Sequence, residues 1–154
     1  MSVDEIRKLN EIITKGNKKP EWGIAVPGGV LPAGIGALTT AFTLAPTAPG
    51  RLALTLDMSE YIVGDTVEIF LQSRVVVAFR TVGYINIVNG VIADFIGPSA
   101  SFYSPALAIP VATVPAVQFD IHMDFLLGAR LQVIQTAGAV ARTLWWHYNY
   151  IMEI

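Results

Sequence analysis

Three side chains that could bind a metal ion alternate along one stretch of the sequence, Asp120-x-His122-x-Asp124. On a strand they would project from one face, because strand side chains repeat every two residues. Imidazole and carboxylate groups could then bind zinc or manganese, and the carboxylates alone could bind calcium. We favour the solvated face of an amphipathic strand and expect no metal site, since three ligands on one strand lack the hydrogen-bond partners that orient metal ligands. A ring of these residues around an oligomer axis is a third interpretation.

Catalytic groups of other kinds are few. Besides His122, the sequence has one histidine, His147, which lies between Trp146 and Tyr148. There is no cysteine, no G-x-S-x-G or H-E-x-x-H motif and no phosphate-binding loop, and no pair of carboxylates stands out among residues 51–154. We therefore predict a protein that is not an enzyme, with no catalytic residues and no cofactor.

An aromatic run, Trp145-Trp146-x-Tyr148-x-Tyr150, is the other candidate binding element. On a strand, the last three of these residues share one face and Trp145 lies on the other. The shared face could stack on a sugar ring or anchor an interface. We favour the alternative of a central strand buried on both sides, because apolar residues fall on both faces.

Strands are the elements that would position these residues. Alternating apolar and polar residues predict eight short strands, at residues 51–58, 66–72, 75–79, 84–88, 91–96, 117–125, 130–135 and 143–152. Asn89-Gly90 favours a type I′ hairpin, and the prolines between residues 98 and 115 restrict that segment to edge strands or short pieces. With no crossover helices, the pattern predicts an all-β fold, an antiparallel β-sandwich or jelly roll of about eight strands.

The N-terminal segment predicts a short helix. Ser2 and Glu5 form a capping box, and apolar residues follow at helical spacing at Val3, Ile6, Leu9 and Ile13. The pattern predicts a helix over residues 2–15. One apolar stripe on so short a helix is unstable alone in water, so it needs a docking surface on its own body or on another subunit.

Residues 22–50 carry no charge, yet glycines and prolines interrupt them repeatedly. That composition argues against a membrane-spanning helix, which would leave backbone groups unpaired in lipid. It predicts an extended arm that lies on a neighbouring subunit. The predicted organisation is therefore an N-terminal helix and Gly/Pro-rich arm at residues 1–50 and a β-sandwich domain at residues 51–154.

Charge is concentrated at one end of the sequence. Nine charged residues lie within positions 1–21, and thirteen are spread over the remaining 133 residues. A small soluble domain ordinarily carries about a quarter charged residues, so this body predicts surface that is buried in an assembly. The net charge of −2 gives no basic field for nucleic acid.

Two blocks carry a family resemblance. They are LTLDMS with GDTVEI at residues 54–69, and VIQTAG with RTLWWHY at residues 133–148. Together they resemble a pattern of small β-sandwich capsid decoration and minor structural proteins of phages and archaeal viruses, over about residues 51–152. The resemblance implies subunits that coat or decorate capsids as trimers or other rings, and it brings no catalytic residues.

We interpret the sequence as a virion structural protein, a capsid decoration or minor capsid subunit. The expected partners are other copies of the same chain in a symmetric homo-oligomer, and the expected oligomeric state is a trimer. The major capsid protein or neighbouring capsid subunits would be contacted through the N-terminal arm. The alternative is a jelly-roll carbohydrate-binding or receptor-binding module, whose aromatic residues would be exposed beside polar groups.

Overall fold

The structure, a computed structural model, describes residues 2–6, 28–30, 34–45, 49–74, 78–97, 103–104, 108–113, 116–123 and 128–152. Within these ranges it has eleven strands, a short helix at residues 3–6 and one 3-10 turn at Val111–Thr113. The strands are β1 (Gly28–Val30), β2 (Thr39–Leu44), β3 (Gly50–Asp57), β4 (Thr66–Arg74), β5 (Phe79–Val88), β6 (Val91–Ile96), β7 (Tyr103–Ser104), β8 (Ile109–Pro110), β9 (Ala116–Met123), β10 (Gly128–Ala137) and β11 (Leu144–Met152).

The described strands form two antiparallel sheets. The four-stranded sheet has the order β1-β11-β3-β9, and the seven-stranded sheet has the order β2-β10-β4-β5-β6-β7, with β8 also paired to β6. Eight strands pair in nested order, the first with the last: β1 with β11, β2 with β10, β3 with β9 and β4 with β5. This nesting defines a jelly roll, so the predicted fold class is confirmed. Strands β6 to β8 extend the larger sheet beyond β5.

The core lies between the two sheets and follows the alternation of the sequence. The buried apolar side chains are Leu52, Leu54 and Leu56 on β3 and Val67, Ile69 and Leu71 on β4. Every second residue of these strands faces inward because strand side chains alternate between faces. Both alternations were predicted, because five to seven residues of strict period two fix which face is buried.

The Asn89-Gly90 hairpin forms between β5 and β6. Both residues have positive φ, 53° and 73°, as a type I′ turn requires. Only the end of the predicted strand at residues 75–79 lies within the described residues. β4 ends at Arg74, and Phe79 is the first residue of β5. Residues 75–77 lie outside the described part.

Two segments of the predicted arm are strands of the jelly roll. β1 pairs with the start of β11, and β2 pairs with β10. Phe42 of β2 is buried in the core, 9% exposed. The alternation of β2 is difficult to recognise because it runs through Thr39-Thr40-Ala41, small residues with little contrast in hydropathy.

The N-terminal helix begins as predicted. The backbone N–H of Glu5 donates to Ser2 Oγ at 3.2 Å, which is the N-cap hydrogen bond of the predicted capping box. Val3 and Ile6 are exposed. The rest of the predicted helix, residues 7–15, lies outside the described residues. No helix among the residues described has the length and apolar character needed to cross a membrane.

Candidate functional site

Of the three candidate metal ligands, only Asp120 has a described side chain. Asp120 lies on β9, and its Oδ1 is 2.8 Å from Arg51 Nε on β3, with both side chains about half exposed. His122 is the backbone partner of Arg51, and Asp124 lies outside the described residues. Over the part of the chain that the structure describes, no three His, Asp or Glu side chains are grouped to hold a metal ion. Asp120 is instead one half of a surface ion pair.

His147 lies on β11, opposite Thr55 of β3, and Gln118 of β9 lies on the other side of Thr55. The alternation of β3 turns Leu54 and Leu56 into the core, so Thr55 and its two neighbours in this row face outward. The imidazole is partly exposed beside a hydroxyl and an amide. It belongs to the polar outer face of the four-stranded sheet.

The inner face of the aromatic run packs into the core. Trp146 and Tyr148 both contact Phe42 of β2, at ring-centroid distances of 5.1 Å and 4.7 Å. The two rings also stack on each other at 5.7 Å, and Tyr150 is buried beyond them. The indole N–H of Trp146 is buried and has no hydrogen-bond partner within the described residues. These rings join the two sheets, which agrees with the interpretation of this face as core.

The outer face of the same strand is different. Trp145 is 45% exposed, and its indole N–H donates to Glu60 Oε1 at 3.1 Å. The interpretation of β11 as buried on both sides is therefore wrong for this face. The strand is interior in the order of its sheet, between β1 and β3, but no layer of described residues covers its outer face at Trp145.

One end of the jelly roll, which we call the loop end, is built from residues 34–38, 58–65, 88–90 and 138–143. Short hydrogen bonds connect these segments to one another and to β10. Gly36 N–H donates to Gln135 O at 2.6 Å, Gly64 N–H donates to Asn89 Oδ1 at 2.7 Å, and Gly90 N–H donates to Asp65 O at 2.9 Å. The loop end is therefore a single connected structure, although it comes from four separate parts of the sequence.

A buried ion pair lies at its centre. Asp65 is 1% exposed, and its Oδ2 accepts hydrogen bonds from Ile62 N–H at 2.9 Å and from Arg142 Nε at 3.2 Å. The first bond closes the turn between β3 and β4, and the second connects that turn to the β10–β11 loop. A buried carboxylate is tolerated only where it is paired and hydrogen-bonded, and this arrangement supplies both.

A buried amide completes the network. Gln135 is 4% exposed, and its Nε2 donates to Val140 O at 2.9 Å and to Ala137 O at 3.2 Å. Its Oε1 accepts from Arg142 N–H at 2.7 Å. Gly138 has φ of 150°, and a Cβ there would collide with the side chains of Asp65 and Gln135. The loop between β10 and β11 is thus held in one conformation by side chains beneath it.

Tyr61 packs below the same loops and is 3% exposed. Burial, followed by the nearby charges of Asp65 and Glu60, raises the pKa of its phenol far above the usual value of 10.0. The phenol is therefore kept neutral. Together with Gln135 and Arg142, Tyr61 lines a small depression that opens at the loop end.

The surface of the loop end is apolar. Nine large apolar side chains are exposed among the described residues, and two of them, Val3 and Ile6, belong to the N-terminal helix. Six of the other seven lie in the segments of the loop end, and Trp145 lies beside them at the start of β11, where it hydrogen-bonds to Glu60. We call these seven the apolar rim: Ile35, Leu38, Ile62, Val63, Val88, Val140 and Trp145. Asp65, Gln135 and Arg142 hydrogen-bond within the network beneath the loops, and the loop end presents an apolar surface.

No local pattern in the sequence indicates this rim, because its residues are scattered over more than one hundred positions. A partial signal existed in the two blocks that carry the family resemblance. The first block contains Asp65, and the second contains Gln135, Gly138 and Arg142. The structure brings these four residues into one network, so the turn motifs of the blocks are the support of the loop end.

No protein-family model and no curated protein matches the chain. Among solved structures, it is similar to the P-domain of Penaeus vannamei nodavirus, with 12% identity and a TM-score of 0.35, over 87% of this chain and 99% of that one. It is also similar to a structure of infectious bursal disease virus Gt strain, with 12% identity and a TM-score of 0.28, over 86% of this chain and 29% of that one. Both of these structures come from viruses.

Proposed function

We propose that this protein is a structural subunit of a virion, a capsid decoration or minor capsid protein that works as a symmetric homo-oligomer. The observation that carries the proposal is a jelly roll on which most of the exposed large apolar side chains of the described residues lie at or beside the loop end. The jelly roll is a common architecture of capsid and lectin domains, and this part of the argument is an analogy between folds. The rim is the part that is specific to this chain.

A subunit of an assembly needs surface to bury against its neighbours, and this chain has it. The body carries thirteen charged residues in 133 positions. Several of these charges are engaged internally, as in the pairs of Arg51 with Asp120 and of Arg142 with Asp65. An apolar surface with few free charges is disfavoured on a free monomer and suits an assembled subunit. A trimer is the simplest closed ring for such a subunit.

The N-terminal helix is the proposed contact to the major capsid protein or to neighbouring capsid subunits. Val3 is 73% exposed and Ile6 is 46% exposed, so the apolar side of the described turn has no cover within the described residues. The chain enters the jelly roll at β1, which pairs with the start of β11. No described strand precedes Gly28, so a partner bound to residues 2–6 would leave the described strands in place.

The test is to ask whether the protein is part of a particle. Antibodies raised against the purified chain should label intact particles from the producing cells, in a regular arrangement visible by electron cryo-microscopy. The chain should also appear at fixed stoichiometry in the mass spectrum of gradient-purified particles. A chain that stays with the soluble fraction while particles form without it would refute the proposal.

A carbohydrate-binding module is the second candidate, and Trp145 is the observation in its favour. Its ring is exposed on the outer face, beside the carboxylate of Glu60 and two positions before His147 on the same strand. An aromatic face next to hydrogen-bonding groups is the usual arrangement for stacking on a sugar. A glycan array with the wild type and with Trp145→Ala tests it, because binding that is lost in this variant would support the module.

A further inference from the structure

The apolar rim is confined to one end of the molecule. Of the nine large apolar side chains that are exposed within the described ranges, the seven of the rim lie at the loop end or directly beside it, and none lies on the outer face of the seven-stranded sheet away from that end. The most exposed of the seven is Val63, at 78%, on the turn between β3 and β4. Such segregation is typical of an interaction surface, since scattered exposed apolar residues are ordinary.

The charged groups beside the rim are engaged within the chain. Glu60 accepts hydrogen bonds from Thr143 N–H and from the Trp145 indole, each at 3.1 Å. Asp57 Oδ1 accepts from Ser59 N–H at 2.9 Å, and Asp65 is paired with Arg142. Glu60 and Asp57 are exposed and keep their negative charge, so nucleic acid or an acidic peptide would be repelled here.

The rim is also held in place before any partner arrives. The backbone bonds of Gly36, Gly64 and Gly90 connect its segments, and the buried side chains of Asp65 and Gln135 support them from below. Surfaces that are already ordered lose less conformational entropy on association. The seven apolar side chains of the rim are exposed on segments that are already ordered by these bonds.

We propose that the loop end is the contact surface between copies of this chain, with the apolar rim of one subunit packed against that of another around a symmetry axis. Side chains of this size and exposure offer on the order of 600 Å² per subunit, against the roughly 800 Å² that each partner buries in a standard interface. Contacts between identical subunits are more apolar than transient contacts, and this composition fits the first kind. The inference specifies the subunit contact of the proposed assembly and can fail while the virion role stands.

The test is the oligomeric state of charge variants of the full chain. Val63→Asp/Val140→Asp places two carboxylates in the rim at exposed positions, where the fold should tolerate them. Thr43→Asp/Thr81→Asp adds the same charge at exposed strand positions outside the rim. Sedimentation velocity across a hundredfold concentration range should give an oligomer for the wild type and the control. The rim variant should be a monomer, with its association weakened at least about a hundredfold and its far-ultraviolet circular dichroism unchanged.

Single cysteines give an independent measurement, because the chain has none of its own. A short bis-maleimide should cross-link Val63→Cys into a covalent dimer at low concentration and leave Thr43→Cys monomeric. A rim variant that assembles as well as the wild type would refute the proposed contact. The virion role would then still depend on the separate test for the protein in particles. A wild type that is monomeric at all concentrations, or that needs a different protein to occupy the rim, would refute the proposed contact as well.

Discussion

Arg142 and Asp65 are 77 residues apart in the chain, and they meet through a hydrogen bond of 3.2 Å between Nε and Oδ2 at the loop end. The carboxylate is fully buried, whereas 24% of the arginine side chain is exposed. The pair connects the β3–β4 turn to the β10–β11 loop. It therefore couples the two sheets of the jelly roll at the end that carries the apolar rim.

Asp65→Asn should test this coupling. The amide keeps the shape and an acceptor for Ile62 N–H, but it removes the charge that faces Arg142. We expect a loss of about 2–3 kcal/mol in the free energy of unfolding, since hydrogen bonds to charged groups are among the stronger ones. The matched control is Asp120→Asn, which breaks the half-exposed pair with Arg51 and should cost at most about 1 kcal/mol. Urea unfolding measures both, and equal losses would contradict the prediction.

Gly138→Ala should destabilise the protein more than Gly64→Ala. Both glycines have positive φ, 150° and 102°, so alanine is strained at either position, by roughly 1–2 kcal/mol. Only at position 138 would the added Cβ also push against the side chains of Asp65 and Gln135, since nothing lies within 4 Å at position 64. We expect the thermal midpoint to fall by several degrees more for Gly138→Ala. Similar midpoints for the two variants would show that the side chains of Asp65 and Gln135 move aside at little cost in stability.

Trp146→Ala and Trp145→Ala compare one side chain on two faces of the same strand. Trp146 packs on Phe42 and Tyr148 in the core, so its removal should cost about 2–4 kcal/mol. Trp145 is 45% exposed, and its removal should cost at most about 1 kcal/mol. Denaturant unfolding followed by circular dichroism is the measurement. A larger loss for Trp145 would mean that another subunit covers the outer face in the native assembly. Repeating the measurement at a concentration where the protein is monomeric tests this, because the extra loss should then disappear.

Truncation should separate the N-terminal helix from the jelly roll. A chain that begins at residue 22 keeps every described strand and should unfold cooperatively near the wild-type temperature, with weaker assembly or weaker capsid binding. A chain that begins at residue 45 loses β1, β2 and the buried Phe42, and it should not unfold cooperatively. Differential scanning calorimetry distinguishes the two. If the shorter deletion already abolishes the transition, residues before 22 belong to the core.

Stability should fall at alkaline pH. Because burial raises the pKa of Tyr61, the folded state keeps a proton that the unfolded chain loses above pH 10. The contribution is fully present below pH 10 and decreases as pH rises further, by up to about 1.4 kcal/mol per pH unit for this group. Urea midpoints measured between pH 8 and 11.5 should fall less steeply for Tyr61→Phe. Burial and a hydrogen bond to Glu68 also raise the pKa of Tyr84, so part of the slope should remain.

The strands with strong alternation were predictable from local sequence. β3, β4 and the β5–β6 hairpin follow from period-two hydropathy and from Asn89-Gly90, because burial of one sheet face and a turn that needs positive φ both leave a local signature. β1 and β2 leave none, since a three-residue strand with two glycines and a threonine-rich strand have little hydropathy contrast. Their place follows from pairing with β11 and β10, more than one hundred and about ninety residues away.

The sequence by itself therefore determined an all-β chain, its strongest strands, the capped start of the N-terminal helix and a body poor in charge. Tertiary structure alone decided which face of β11 is buried and which is exposed to solvent, because Phe42 of the distant strand β2 packs against one face only. It also decided that Asp65, Gln135, Gly138 and Arg142 form one network, and that seven scattered apolar residues become one rim. Nested pairing of distant strands brings their loops to one end, and no local pattern encodes a neighbour that is supplied from so far along the chain.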